Sequence, residues 1–213
     1  MLKLYDYWRS SAAMRVRLAL NYKQLDYEKV KISLPDGVQQ SDSYKEVNPS
    51  GLVPALITET KDIVRQSLAI MEYLEEEYPN PPLLPKDVFA RAYVRAIALD
   101  VACDIHPLNN LRVLKFLKHE LQQEQETIEK TWYTHWIELG LTSIEQHVKN
   151  SQFYTGKFCC GEQFTMADVC LIPQLYNARR FNCDITNCPT LIAIDAQCAK
   201  LDWVIKAYPD DNQ

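Results

Sequence analysis

Glycine is scarce, at 5 of 213 residues, against an average near 7%. Enzymes that cradle nucleotide phosphates do so on glycine-rich turns, so a dinucleotide fold or a P-loop enzyme is excluded. No apolar run approaches the roughly 20 residues that span a bilayer. The opening stretch from Met1 to Tyr7 reads as a strand rather than a charged region followed by an apolar one, so no signal peptide is expected. Basic residues are in deficit: 23 Lys and Arg stand against 28 Asp and Glu, and both the part up to residue 85 (−2) and the part beyond it (−3) are acidic. A nucleic-acid binder would carry a basic face. The seven cysteines contain no C-x-x-C pair, and His106, His119, His135 and His147 show no ligand spacing with them. That argues against a metal centre or a dithiol redox centre, and leaves free thiols in a reducing cytoplasm.

What the chain does have is a globular balance, 47% hydrophobic and 24% charged. It also has one abrupt change of composition. Pro79-Asn80-Pro81-Pro82-Leu83-Leu84-Pro85 places four prolines in seven residues, removing backbone donors and disfavouring helix before each one. This predicts a first domain over 1–80, a linker over 81–87 and a second domain over 88–213.

Ahead of the linker, Leu2–Tyr7 and Tyr27–Ser33 read as strands around a helix over Ala12–Leu20. Ala55–Thr58 and Asp62–Arg65 read as a hairpin, and a helix follows Ser67 and stops before Pro79. The order is βαβ, an irregular stretch, then ββα, which makes a small α/β unit. Behind the linker, Val88–Leu117, Glu124–Asn150, Thr165–Ala178 and Thr190–Tyr208 all carry helix-period patterns, predicting an all-helical bundle.

Four places could carry chemistry. Ser10 and Ser11 stand where the first helix begins. One hydroxyl could simply cap that helix. The same geometry, a helix N-terminus with free N–H groups and a hydroxyl, also favours an anion such as a thiolate. Val53-Pro54 enters a strand, as an ordinary edge-strand proline also would. Gln66-Ser67 precedes a helix, where Ser67 could be a plain cap or could join Gln66 in holding a small carboxylate. Thr165-Met166-Ala167-Asp168 fits a capping box and reads as structural.

Taken in order, these features resemble the cytosolic glutathione transferases. Tyr7-Trp8-Arg9-Ser10-Ser11 with Arg15-Val16-Arg17-Leu18-Ala19-Leu20 is similar to the zeta class. So are Gln66-Ser67-Leu68-Ala69-Ile70, Pro82-Leu83-Leu84-Pro85, Asp104-Ile105-His106-Pro107-Leu108-Asn109-Asn110-Leu111 and Asn177-Ala178-Arg179-Arg180-Phe181. The resemblance runs from about residue 2 to residue 208. It implies a thioredoxin-like N-terminal domain, an all-helical C-terminal substrate domain, glutathione as cofactor and a cytoplasmic homodimer.

The activity it implies is glutathione-dependent isomerisation of maleylacetoacetate to fumarylacetoacetate, a step of tyrosine and phenylalanine catabolism. The implied route is thiolate addition, bond rotation and elimination. Alternatives are a maleylpyruvate isomerase, a general conjugating transferase or a non-catalytic module of the same fold.

Carried over by position, Ser10 steadies the thiolate with Ser11 beside it. Gln66 and Ser67 take the γ-glutamyl end. Val53 offers its backbone, with Pro54 cis. Gln39 lies near the glycyl end, where Gln40 is the competing alignment. Arg15 and the rear residues His106, Asn110, Leu111 and Arg112 complete the cofactor set, while Arg9 and Arg180 are assigned to substrate carboxylates. Two positions depart from the pattern: Ala12 stands where many members have Cys, and His106 where many have Gln.

Overall fold

The computed structural model describes residues 1–209. Those residues form two compact units, Met1–Leu83 together with residues 200–209, and Leu84–Ala199.

The first unit runs β1 (Leu2–Asp6), α1 (Ser11–Tyr22), β2 (Tyr27–Lys31), α2 (Asp42–Val47), β3 (Ala55–Ile57), β4 (Ile63–Arg65) and α3 (Ser67–Glu77). The sheet order is β2-β1-β3-β4, with β1 parallel to β2 and antiparallel to β3, and β3 antiparallel to β4. Parallel pairing needs a long crossover, and α1 supplies it. Leu2, Leu4 and Asp6 of β1 are buried in alternation, and α1 covers the sheet with Ala13, Met14, Val16, Leu18 and Leu20. β2 is an edge strand whose Glu28, Lys29 and Lys31 are exposed, charges that deter pairing with another chain. The expected βαβ–ββα order is present. The stretch read as irregular holds a 3₁₀ turn, Val38–Gln40, and α2, which Ser41 caps by accepting from the Tyr44 N–H at 3.3 Å.

The second unit is helical apart from two isolated bridges, Phe158 with Gly161 and Cys160 with Gln163. It contains α4 (Val88–Leu99), a π-helical segment (Asp100–Ile105), α5 (His106–Asn109) and α6 (Leu111–His119). There follow α7 (Gln125–Thr127), a second π-helical segment (Ile128–Tyr133), α8 (Thr134–Lys149), α9 (Met166–Arg180) and α10 (Pro189–Cys198). The single helix expected over 88–117 is broken at Asn110. That residue is extended (ψ 141°), and its side chain accepts from the Arg112 N–H at 3.1 Å to cap α6.

α9 is the central helix, with 12 of its 15 residues buried. Thr165 and Asp168 form the expected capping box at its start: the Thr165 N–H and Oγ1 donate to Asp168 at 2.8 and 2.9 Å. Gly140 lets α8 approach the first π-helical segment, because a Cβ there would overlap the Ile105 side chain.

The end of the chain departs from the expectation of one helical domain running to residue 213. The helix expected over Thr190–Tyr208 stops at Cys198, and α11 (Asp202–Ile205) packs on α1 in the first unit. Polar contacts explain the return: Arg17 Nε donates to the Ala207 carbonyl and Asn21 Nδ2 to the Trp203 carbonyl, each at 3.1 Å. No helix among the described residues is long and apolar enough to cross a membrane. All seven cysteines are free, and only Cys103 is exposed.

Candidate active site

The sheet register assembles the front-unit residues. Tyr5 pairs with Ala55, and Ala55 with Arg65. The exit of β1, the entry of β3 and the exit of β4 therefore lie side by side, and the chain leaves those strand ends as Tyr7–Ser11, Val53–Pro54 and Gln66–Ser67.

Ser10 is the N-cap of α1. Its Oγ accepts from the Ala13 N–H at 3.2 Å, and its N–H donates to the Tyr7 carbonyl at 2.8 Å. A capping hydroxyl that accepts still holds its own proton for donation outward. Ser10 is half-buried, Ala12 likewise, while Ser11 is buried as the first helical residue.

The Val53–Pro54 peptide is cis, as is Asn80–Pro81. Among the described residues, the Val53 N–H and C=O have no hydrogen-bond partner.

At α3 the structure corrects one reading. Ser67 is not the cap but the first helical residue; the cap position belongs to Gln66, which has φ 70° and makes no side-chain cap bond. The Ser67 hydroxyl instead accepts from Arg15 NH1 at 3.2 Å. Arg15 is 2% exposed, so its cation lies beneath the N-terminus of α3 and adds to the positive end of the helix dipole.

Gln39 and Gln40 lie against the turn that leads to Val53. Gly51 (φ 60°) has no room for a Cβ because the Gln40 side chain and the Gln39 carbonyl occupy that space. Gln40 Nε2 donates to the Gly51 carbonyl at 3.3 Å, whereas Gln39 Nε2 donates to the Leu34 carbonyl at 3.4 Å.

Two supports escaped the sequence reading. Arg17 is buried against Asp6 at 2.5 Å, and its NH2 donates to the Trp8 carbonyl at 2.9 Å, so it ties the end of β1 to α1 across the Ser10 turn. A charged residue on the apolar side of α1 was the available signal. Tyr44 Oη, from within α2, and Asn48 Nδ2, from its C-terminal cap, both donate to the Leu52 carbonyl at 2.6 Å, fixing the peptide that leads into Val53. Burial pushes the Tyr44 hydroxyl up to about 12, so it stays a neutral donor.

In the helical unit, Asn110 Nδ2 and His106 Nε2 meet at 3.5 Å, and Leu111 and Arg112 begin α6, both exposed. Arg180 ends α9 with its guanidinium 5.1 Å from the Phe181 ring, which stacks on Tyr133 at 3.8 Å. Arg9 in the first unit rests in the same manner on Trp8, at 4.4 Å. Both arginines are exposed, and a cation held on a ring keeps its fork of donors in a defined orientation. Among the described residues, no cluster of His, Cys, Asp and Glu forms a metal site.

Comparison with known proteins agrees with this arrangement. Residues 4–82 match the family described as glutathione S-transferase, N-terminal domain. A probable maleylacetoacetate isomerase of Vibrio cholerae serotype O1 is 45% identical over 213 residues, covering 99% of this chain and 97% of that protein. The holo structure of a maleylpyruvate isomerase, a bacterial zeta-class glutathione S-transferase, superposes with a TM-score of 0.93 at 40% identity, over 97% of this chain and 96% of that one. A maleylacetoacetate isomerase from Methylobacterium extorquens AM1, solved with bound malonate and glutathione, gives 0.94 at 38% identity over the same shares. With likeness of that extent over both units, the chain belongs to the maleylacetoacetate isomerase family of zeta-class glutathione transferases.

Proposed function

We propose that the protein binds glutathione at the strand ends of its first unit and isomerises maleylacetoacetate to fumarylacetoacetate. One observation carries the site: the register that puts Ser10, Val53 and the N-terminus of α3 next to one another. The donor set fits an extended peptide bearing an α-carboxylate at one end and a thiol in the middle. The first turn of α3, with Ser67 above the buried Arg15, suits the carboxylate. Gln66 lies exposed at the same helix end, for the neighbouring amine. The Val53 N–H and C=O suit the pairing of an extended backbone, as at a sheet edge. The half-buried Ser10 hydroxyl suits the sulfur, with Ser11 behind it. Gln39 keeps its assignment to the glycyl end, as do His106, Asn110, Leu111 and Arg112 to the cofactor.

When bound, glutathione supplies a sulfur nucleophile that can add to a cis double bond, release it to rotate, and leave. The protein's part is electrostatic. Ser10 donates to the sulfur while the N-terminus of α1 favours negative charge, which together hold it as thiolate near neutral pH. None of the seven cysteines falls in this site motif, where Ala12 stands. Arg9 and Arg180 are assigned to the carboxylates of the substrate, for which a guanidinium offers paired donors. The same reading implies a cytoplasmic homodimer. Val88 and Phe89 at the start of α4, 81% and 66% exposed, supply apolar surface for a second copy.

The test is to supply the purified protein and glutathione with maleylacetoacetate, maleylpyruvate and 1-chloro-2,4-dinitrobenzene in parallel. The highest kcat/KM is expected for maleylacetoacetate. Faster turnover of maleylpyruvate reassigns the substrate, and conjugation outpacing both isomerisations overturns the isomerase reading. Failure to be retained on immobilised glutathione favours a binding module of the same fold.

A further inference from the structure

The two arginines that end α9 are used differently. Arg179 is paired with Asp195, whereas the Arg180 guanidinium has no ion pair or hydrogen bond among the described residues. Arg180 rests on Phe181, and Tyr133 stacks on the same ring, with 28° between the ring planes. Tyr133 is 2% exposed. Its hydroxyl also lacks a hydrogen-bond partner among the described residues, yet it is not one of the unpartnered atoms sealed from solvent. A tyrosine buried to that depth usually finds a partner for its O–H. Two unpartnered donors thus share one ring.

The backbone that carries Tyr133 is held in place. Tyr133 closes the second π-helical segment, a widened turn of the kind that recurs at functional sites. Trp132 Nε1 donates to the Leu108 carbonyl at 2.8 Å, and Asn109 Nδ2 donates to the Tyr133 carbonyl at 3.4 Å. Both bonds tie the segment to the stretch that carries His106 and Asn110. Burial, with Cys183 adding to it, pushes the Tyr133 hydroxyl up, while Arg180 pulls it down. Tyr133 therefore stays a neutral donor within electrostatic reach of a cation. A neutral donor beside a guanidinium suits the oxygens of one carboxylate.

Maleylacetoacetate has two carboxylates, one next to the cis double bond and one at the far, acetoacetyl end. Arg9 adjoins Ser10 in the chain, so it suits the carboxylate near the sulfur and the reacting bond. The far one is left to the donors on Phe181. We propose that Tyr133 is a specificity residue, its hydroxyl donating, together with Arg180, to the carboxylate at the acetoacetyl end of the substrate. This rests on the isomerase reading above.

The test compares the full-length protein with Tyr133→Phe, which removes the oxygen and keeps the ring on Phe181. Both are assayed at saturating glutathione with maleylacetoacetate and with maleylacetone, which lacks the far carboxylate. In the variant, KM for maleylacetoacetate should rise about tenfold, the size expected of one hydrogen bond to a charged group, with kcat changed less than about twofold. The kcat/KM preference for maleylacetoacetate over maleylacetone should fall by the same factor as KM rises. Calorimetric titration with suberate, an unreactive diacid of the same chain length, reads the contact without turnover. In the presence of glutathione, suberate should bind about tenfold more weakly to the variant, with glutathione affinity unchanged. An unchanged KM, an equal rise in KM for maleylacetone, or an unchanged suberate affinity overturns the proposal. A wild type that isomerises neither maleylacetoacetate nor maleylpyruvate overturns the isomerase reading instead, and the suberate titration then decides the role of Tyr133.

Discussion

In the first unit, buried carboxylates face buried cations: Asp6 accepts from Arg17 at 2.5 Å and Glu75 from Lys23 at 2.8 Å. In the helical unit, Asp168 and Glu145 are as deeply buried, at 0% and 1% exposure, yet backbone N–H groups satisfy them. Asp168 receives the Cys159 and Thr165 N–H groups, both at 2.8 Å, and Glu145 receives those of Thr190 and Leu191 at 3.2 and 3.0 Å. Both carboxylates sit at helix starts, where free N–H groups and the dipole already favour negative charge.

The difference teaches what each unit needs. A helix start can satisfy a buried carboxylate with backbone donors alone, whether the carboxylate is its own, as Asp168 is for α9, or comes from another helix, as Glu145 of α8 does for α10. The first unit must join elements far apart in sequence, and an arginine with several donors does so in one residue: Arg17 reaches Asp6, Trp8 and Ala207. Lys23 likewise reaches Glu75 and the Tyr78 and Pro81 carbonyls. The turn that carries Ser10 is shaped by one of these bridges.

The largest effect should come from breaking the Arg17 bridge. Arg17→Met leaves Asp6 buried without its cation and should cost about 3–5 kcal/mol in urea unfolding; adding Asp6→Leu should restore most of it. Burial already holds the Asp6 carboxyl above its ordinary range, with Arg17 pulling it back, so the variant raises it further. A raised pKa stabilises the fold below the unfolded value and loses that contribution as pH rises through the folded one. The loss in Arg17→Met should therefore be greater at pH 8 than at pH 5.

Asp168→Ala should cost about 2–3 kcal/mol, since it orphans two buried N–H donors and removes a cap. Its pH trend should run the other way. Burial raises Asp168 too, but here the titrating group itself is removed. The wild type's advantage is then greatest at low pH, and the loss shrinks as pH rises. Equal trends in the two variants would erase the distinction between the units.

The smallest effect should be Ser10→Ala, at about 1 kcal/mol of stability from the lost cap. Turnover should nonetheless fall at least tenfold, equivalent to about 1.4 kcal/mol of barrier. An unchanged rate with intact glutathione binding would remove Ser10 from the mechanism and leave it as a cap alone.

Much of this was legible along the chain. The hairpin flanking Glu59-Thr60-Lys61, the strand at Tyr27, the helix at Ala12 and the box at Thr165 all announce themselves by period or by cap residues. The misses share a cause. Nothing in Gln66 signals a φ of 70°, because that conformation is imposed by the chain on either side. Asn110 reads as one polar residue in a helical pattern until its side chain is seen capping α6. The Ser67 hydroxyl looks like a cap and proves to be a partner for an arginine 52 residues away.

The sequence by itself determined the order of strands and helices, the proline-marked change of composition and the local helix starts, because periodicity, φ restriction and capping act over a few residues. Only the tertiary structure decided the rest. Strand register set which turns became neighbours, buried arginines chose partners across the fold, and residues 200–209 returned to the first unit. The shortage of glycine gains its meaning here. A carboxylate can be received by the first turn of α3 above Arg15, with no glycine-rich loop, but only after the sheet has brought the three strand ends together.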